Sequence, residues 1–529
     1  MKTSIALSTI LFAPVCATAA GAQSAASISA KIAEINKRPE FIHAGFGVAA
    51  YDLDTKQLVY GLNEQQLFTP GSTTKLLTAG TALALLGADH RFRTPVYRTG
   101  PVTNGVLKGD IVLVGTGDPN LSGRILGDTL GFGDEDHSYA GRGDSVSKVI
   151  GDPLFVMRRL AGQIADRGIK RIEGRVLADV SLLPQGEREL GTGMPISSLS
   201  VNDNAVDLLI SPGAKQGDRA VIRVSPDIGA VRVVNELVTG APRSGTTIRR
   251  MMLRDSVGFA TARLSGSYAA DGAPSVMGVG VWDPAEFASI ALTAALKERG
   301  VIVDGTRAAA PDFGRLATTY GDSTRIAEHV SPPLSEMIKV MLKVSQNLHA
   351  SMMPYMIGAT LGRTPGRGSL AAGLELERAF LERAGLDLMA ASQGDGAGGA
   401  QSAFYSPAFM VQYLAYMASR PDSAVFRRAL PILGRDGTLW NIQSQSPAAG
   451  RVIGKTGTFT LTDPLNRRPI VMGKGLAGYM TTSSGRRLAF AIYANRIPFP
   501  PGTQGNDAGL LVGQAIGEIA AAMWGAPIP

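Results

Sequence analysis

The sequence is nearly devoid of cysteine: Cys16 is the single thiol in 529 residues. It lies in an N-terminal stretch that reads as a secretory leader, so the expected mature chain has no thiol at all. Disulfide scaffolding and cysteine nucleophiles are thereby excluded, and the chain is expected to be stable outside the cytoplasm without cross-links. Histidine is also scarce. Its five residues are scattered at no metal-ligand spacing, and no metal is expected. Charged residues make up 18% against 45% hydrophobic, a globular composition that argues against disorder. The net charge of +8 is modest for this length and forms no basic stripe. Weak attraction to anionic polymers such as cell wall or lipid headgroups is expected, and nucleic-acid binding is not. No G-x-S-x-G elbow occurs. A phosphate loop ahead of Lys455 fails too, because it needs glycine where the chain has Ala449, and Gly450 is one residue too close. Beyond the leader no run resembles a transmembrane helix.

Lys2 gives the leader a small positive start, Ile5 to Val15 a short apolar core, and Ala17-Thr18-Ala19 and Ala20-Gly21-Ala22 small-residue cleavage sites. Cleavage after Ala22 is expected, with export to the periplasm and no transmembrane anchor in the mature chain. At this length two or three domains are expected. Apolar runs at Phe46–Tyr51 and Gln57–Gly61 around Asp52-Leu53-Asp54-Thr55-Lys56 predict a β-hairpin. Ser72 to Leu86 has helical spacing and ends at Gly87. From about 96 to 325 strand-like runs dominate, among them Gly109–Gly115, Ile169–Ala178 and Ala220–Ser225. The Gly- and Asp-rich stretch Gly123–Asp144 reads as a mobile loop. A helix at Phe155–Asp166 followed by a strand is echoed by a helix at Glu286–Glu298 followed by a strand at Val301–Arg307, which reads as a common supersecondary unit. Helices return at Leu334–Lys343, Ala371–Ala384 and Pro407–Ser419, then strands at Leu476–Thr482 and Leu488–Asn495, then a helix from about Ala508 to Trp524. The two ends of the chain can close into one α/β domain of a sheet with helices, interrupted by the 96–325 insert.

Three short motifs carry the chemistry. Ser72-Thr73-Thr74-Lys75, Ser345-Gln346-Asn347 and Lys455-Thr456-Gly457-Thr458 occur in that order, with roughly 270 residues between the first two. Each alone is weak, since serine caps helices, asparagine ends them, and a strand running into a turn can read K-T-G. A serine hydroxyl needs a base, and Lys75 shares a helical face with Ser72. A lysine desolvated there, near a second cation such as Lys455, can accept the Ser72 proton. Ser345 can relay a proton toward a leaving amine and Asn347 can hold a substrate amide. Lys455, Thr456 and Thr458 suit a carboxylate, with Gly457 removing bulk from an edge strand. His349, four residues after Ser345, offers only a remote Ser–His alternative.

The set is the S-x-x-K, S-x-N, K-T-G signature of penicillin-interacting serine enzymes. With Gly115-Thr116-Gly117-Asp118-Pro119-Asn120-Leu121, Leu199-Ser200-Val201-Asn202-Asp203-Asn204 and Gly434-Arg435-Asp436-Gly437-Thr438-Leu439, the chain resembles the D-alanyl-D-alanine carboxypeptidase/endopeptidases of class C low-molecular-mass penicillin-binding proteins, the penicillin-binding protein 4 type, peptidase family S13. Ala477-Gly478-Tyr479-Met480 and Leu488-Ala489-Phe490-Ala491 extend the likeness. The resemblance implies a transpeptidase-like domain (23–95 and 326–529) with an inserted domain II (96–200 and 285–325) and a domain III nested in it (201–284). It implies acylation of Ser72 by D-Ala-D-Ala stem peptides, by D-alanyl cross-links of peptidoglycan and by β-lactams. Lys75 would be the base, Ser345 and Lys455 the proton relay, Asn347 the substrate holder. Thr456 and Thr458 would bind the terminal carboxylate, and the backbone N–H groups of Ser72 and Thr458 would form the oxyanion hole. No cofactor is needed. Asp179 resembles an insert aspartate that can meet a diaminopimelate amine.

Two segments depart from that pattern. Where the family commonly reads Asp-Gly-Ser-Gly-Leu-Ser-Arg, the chain has Asp395-Gly396-Ala397-Gly398-Gly399-Ala400-Gln401, and where an acidic residue usually follows S-x-N it has His349-Ala350-Ser351. A β-lactamase or D-amino-acid esterase of the same mechanism is the alternative enzyme. A non-catalytic wall-binding protein is the alternative outside enzymes.

Overall fold

The computed structural model describes residues 15–133, 135–142, 150–254, 260–305, 311–362 and 368–527, without the side chains of 15–25 and 140–142. The leader core and much of the Gly123–Asp144 stretch's far end therefore lie outside the described residues, and Val15–Asn36 forms one helix.

The two ends of the chain build one antiparallel sheet. Its strands are β1 (Gly45–Asp52), β2 (Gln57–Leu62), β3 (Val452–Asp463), β4 (Arg468–Thr481) and β5 (Arg487–Pro498), in the order β2-β1-β5-β4-β3. The β1–β2 turn is tied by Asp52, whose Oδ1 accepts from the N–H groups of Asp54 and Thr55 at 2.8 Å each. Strands β2 and β3 are its two edges. The period of two sorts β5 cleanly between two cores. Leu488, Phe490, Ile492 and Ala494 meet the helices at the chain ends, Val15–Asn36 and Gly505–Gly525, while Ala489, Ala491 and Tyr493 face the helical layer on the other side. The small alanines let that layer come close.

Its central helix, Lys75–Leu86, is buried from Lys75 to Leu83, and Gly87 ends it at φ +87°. Around it pack Leu334–Lys343, Asn347–Leu361 and Pro407–Ser419. Helix Asn347–Leu361 has no strong apolar stripe because it is buried nearly all round, from Asn347 to Ala359. The helix Gly505–Gly525 is long and apolar enough to cross a membrane by length and composition. Here its residues Ala508, Val512, Ile516, Ile519 and Met523 are buried in the core against the sheet.

Between the first two motifs the chain leaves through Arg93–Arg98 and returns through Arg325–Val330, which pair with each other in a sheet with Ile111–Val114 and Val176–Asp179. The run expected as one strand over Ile169–Ala178 is two, Arg171–Ile172 and Val176–Asp179, in different sheets. The break falls at Gly174, where a Cβ would come within 2.4 Å of Gly109 O. The two echoed units meet: Arg171–Ile172 pairs in parallel with Ile302–Val303, and helices Phe155–Asp166 and Pro284–Glu298 pack together. Residues 205–280 form two further three-stranded sheets.

Candidate active site

The three motifs converge where the start of the central helix meets the edge strand β3. Gly71–Thr74 is a tight turn that runs straight into the helix at Lys75. Gly71 takes φ +50°, and a Cβ on it would lie 2.6 Å from the Thr458 nitrogen. Gly457 mirrors it: its missing Cβ would lie 2.0 Å from Pro70 O and 3.0 Å from Ser72 N. The absence of a side chain at Gly457 therefore admits the nucleophile's own turn. The two glycines bring the backbone nitrogens of Ser72 and Thr458 to either side of one close contact.

Lys75 is fully buried and is the hub. Its Nζ donates to Ser72 Oγ at 2.6 Å, to Asn347 Oδ1 at 2.6 Å, to Ala397 O at 3.2 Å and to Ser345 Oγ at 3.3 Å. Lys455, also fully buried, donates to Ser345 Oγ at 2.8 Å and to Thr456 O at 2.8 Å. Burial drives the Lys455 pKa well below its ordinary value, and the charges of Lys75 and Lys474 push it the same way. Ser345 Oγ thus bridges two ammonium groups that cannot both hold their protons cheaply. Ser72 is half-buried and Thr458 exposed, so the cluster opens to solvent on the side of the nucleophile.

Ser345 sits at φ +62°, a conformation a side-chain-bearing residue rarely takes. Tyr139 helps to hold it there. Its hydroxyl donates a short hydrogen bond to Ser345 O and lies 3.3 Å from Asn347 Oδ1. Tyr139 belongs to the stretch expected as a mobile loop, whose described residues include paired and buried segments. Ile125–Leu126 and Thr129–Leu130 pair as a small hairpin, and Asp136 to Ser138 are buried. The anchor is the buried Arg124, whose guanidinium donates to Asp203 at 2.6 and 3.0 Å and to Asp136 at 2.6 Å. Gln346, the middle residue of the second motif, reaches Asp136 at 3.3 Å, and His349 reaches Asp203 at 3.3 Å. His349 is therefore engaged behind the site, away from Ser345. Asp136, His137 and Asp203 bring oxygen and nitrogen atoms close enough to suggest a cation site. Arg124 already lies against both carboxylates and supplies the positive charge such a site would attract. Those contacts hold Asp203 and Asp136 below the usual carboxylate range against the cost of burial.

The variant loop Asp395–Gln401 is part of the site. The buried Asp395 carboxylate accepts from Gly398 N at 2.6 Å and Gly399 N at 2.9 Å, which closes the loop and aims Ala397 O at Lys75. Burial raises the Asp395 pKa. Gly396 and Gly398 are needed for contact: a Cβ would lie 2.1 Å from Ala350 O in the first case and 2.0 Å from Gly71 O in the second. The inserted residues also touch the site, since a Cβ on Gly191 would lie 2.4 Å from Asn347 Nδ2.

Ser72, Lys75, Ser345, Asn347 and Lys455 are thus brought into one hydrogen-bonded group, with Thr456, Gly457 and Thr458 along its edge. Thr456 Oγ1 pairs with Thr438 Oγ1 at 2.7 Å. Asp179 does not join them. Its carboxylate accepts from Ser181 N at 3.0 Å and from Tyr320 at 3.0 Å, a local turn plus a buried side-chain contact. Sequence reasoning missed the Ala397 carbonyl and Tyr139. A backbone oxygen has no side-chain signature, and Tyr139 lies in a stretch whose composition signals only turns.

A model of the D-Ala-D-Ala carboxypeptidase 3 (S13) family matches residues 28–510. A D-alanyl-D-alanine carboxypeptidase from an Actinomadura species is 28% identical over 91% of this chain and 83% of that protein. The D-alanyl-D-alanine carboxypeptidase DacB of Haemophilus influenzae is 23% identical over 87% of this chain and 86% of that one. The crystal structure of penicillin binding protein 4 from Haemophilus influenzae superposes with a TM-score of 0.71 at 20% identity, covering 94% of this chain and 99% of that one.

Proposed function

The chain belongs to the D-Ala-D-Ala carboxypeptidase (S13) family, and from that premise we propose how its residues divide the work of a serine D,D-peptidase acting on peptidoglycan. Ser72 is the nucleophile and Lys75 its base. Lys75 takes the Ser72 proton as Oγ attacks the carbonyl of the penultimate D-alanine. The backbone N–H groups of Ser72 and Thr458 receive the charge that develops on the carbonyl oxygen, a contribution of about 3–4 kcal/mol per donor in comparable sites. The peptide C–N bond then breaks. Ser345 passes its hydroxyl proton to the departing amine and is reprotonated from the lysine pair it bridges. The leaving D-amino acid carries its carboxylate to Thr456 and Thr458, and Asn347 holds the acyl amide. Water attacks the ester, the acyl group leaves as a free carboxylate, and Ser72 regains its proton.

The observation that carries this reading is Ser345 Oγ, 2.8 Å from Lys455 Nζ and 3.3 Å from the Lys75 Nζ that lies 2.6 Å from Ser72 Oγ. A continuous path for one proton runs from nucleophile to leaving group. β-Lactams would acylate the same serine, and export to the periplasm would place the enzyme at its polymer. The domain boundaries expected from the sequence would put the whole group in the 23–95 and 326–529 unit, with Tyr139 and Gly191 reaching it from the insert. Incubation with benzylpenicillin followed by peptide mass spectrometry tests the assignment. The adduct is expected on the peptide bearing Ser72 and absent from Ser72→Ala. Equal labelling of that variant, or an adduct elsewhere, removes Ser72 from the role.

A further inference from the structure

Lys474 stands outside all three motifs. It lies on β4 opposite Thr458 of β3, and its Nζ donates to Thr458 Oγ1 at 2.8 Å. The side chain is half-buried and runs against the C-terminal helix, where a Cβ on Gly513 would lie 3.3 Å from Cε and 3.4 Å from Nζ. Glycine at 513 leaves room for the ammonium. On the same face a cavity of about 80 Å³ is lined by Thr438, Thr456, Lys474, Leu510 and Gly513 among others, with no acidic residue in its lining. An ammonium and two threonine hydroxyls therefore edge a small cavity beside the K-T-G strand with no fixed anion to balance them.

The other lysine nearby is already engaged. Lys455 turns to Ser345, and its proton is disfavoured by burial and by its neighbours. Lys474, by contrast, contacts the Thr458 hydroxyl proposed to take a carboxylate and lines the cavity with Thr456. A carboxylate hydrogen-bonded to Thr458 Oγ1 would lie within about 5.5 Å of Nζ, two hydrogen-bond lengths, where attraction in a half-buried site is still strong. We propose that Lys474 is a specificity-determining residue, whose ammonium, through the Thr458 hydroxyl it holds, selects substrates with a free carboxylate on the leaving group. This rests on the reading that Thr456 and Thr458 receive that carboxylate.

The charge of Lys474 is set by what packs on it. Thr458 faces it from β3, Ala494 is its partner on β5, Gly513 and Leu510 approach from the helix, and Thr438 and Asn441 line the cavity. Lys455 is the titrating neighbour with which it interacts. Burial lowers the Lys474 pKa to about 8, so the ammonium persists at neutral pH and is lost above it.

Two matched acyl-D-alanyl esters test the proposal, one with a leaving group ending in a carboxylate and one ending in the carboxamide. The measured quantity is the ratio of their kcat/KM values. In Lys474→Met the ratio is expected to fall roughly 10–100-fold, chiefly through KM for the carboxylate ester, and Lys474→Arg to restore most of it. In the wild type the ratio falls as pH rises through about 8, and in Lys474→Met it is flat. A thermal melt of each variant separates loss of fold from loss of selection. A ratio that Lys474→Met leaves unmoved overturns the proposal. A wild type with no carboxylate preference overturns the Thr456/Thr458 reading and the proposal with it. A wild type that cleaves neither ester and forms no adduct on Ser72 overturns the enzymatic reading beneath both.

Discussion

Ser345 shows how much of the site depends on single residues. Its backbone is held at φ +62° while its hydroxyl bridges two buried lysines. A residue in that region costs of order 1–3 kcal/mol, so the neighbours that hold it matter. Tyr139 is one of them through its bond to Ser345 O. Tyr139→Phe removes one hydrogen bond and little volume, and it should slow penicillin acylation about tenfold, in line with a bond worth ~1 kcal/mol or slightly more. Stopped-flow acylation read beside a thermal melt checks this, because a merely structural role would move the melt and spare the rate. Away from the chemistry, burial lifts the Glu377 pKa to about 7, with only Gln393 donating to it, at 3.2 Å. The folded state then holds a proton that the unfolded chain releases near 4.5. That stabilisation is fully present below 4.5 and is lost as pH rises through about 7. Glu377→Gln should melt near the wild-type temperature at pH 5, at the foot of that window, and above it at pH 8, about one unit past its top. Melts that stay parallel across that range would show the group is not titrating there.

At the scale of elements, two loops and two glycine contacts make the cleft. Gly398→Ala would drive a Cβ to 2.0 Å from Gly71 O at a φ of +85°. The loop must then withdraw, taking Ala397 O from Lys75, and acylation should fall by more than about tenfold, since the lost bond is to a charged donor. Arg124→Met tests the strut behind the second motif. It strands the buried carboxylates of Asp136 and Asp203, and a urea melt should show a loss of about 3–5 kcal/mol. The elements that sequence patterning located well are those with one apolar face. Phe155–Asp166 and Leu334–Lys343 each bury one side and show it in their spacing, while the hairpin β1–β2, buried on both faces of β1, is marked by its polar turn at Asp52–Lys56. The elements it missed lack such contrast. Asn347–Leu361 is buried all round and contains Pro354, so neither period nor breaker rules marked it as a helix. In the Gly123–Asp144 stretch the described residues Arg124 and Asp136 join a charge cluster completed by Asp203 and His349, remote in sequence and invisible to any local window.

For the whole molecule, the motif order was readable because each carries a distinct side chain to one point, whatever lies between. Lys75 closes the gap to the second motif with contacts of 3.3 Å to Ser345 and 2.6 Å to Asn347, and the chain between them is not idle. It returns Tyr139 to Ser345 and Gly191 to Asn347, so the insert braces the same two residues that complete the proton path. In the proposed reading, substrate carboxylate recognition draws on the opposite end of the chain, where Lys474 and the C-terminal helix meet β3. Three remote segments thus serve one cleft. That explains why the clustered motif residues could be named from the sequence while their supports could not. The central claim is that this cleft hydrolyses D-alanyl bonds of peptidoglycan through Ser72. The most direct measurement is mass spectrometry of muropeptides from purified sacculi digested with the protein, beside Ser72→Ala. The account predicts that the wild type converts pentapeptide stems to tetrapeptides with release of D-alanine, or resolves D-alanyl cross-linked dimers, and that the variant does neither. Unchanged muropeptides with wild-type protein, or equal conversion by the variant, would contradict it.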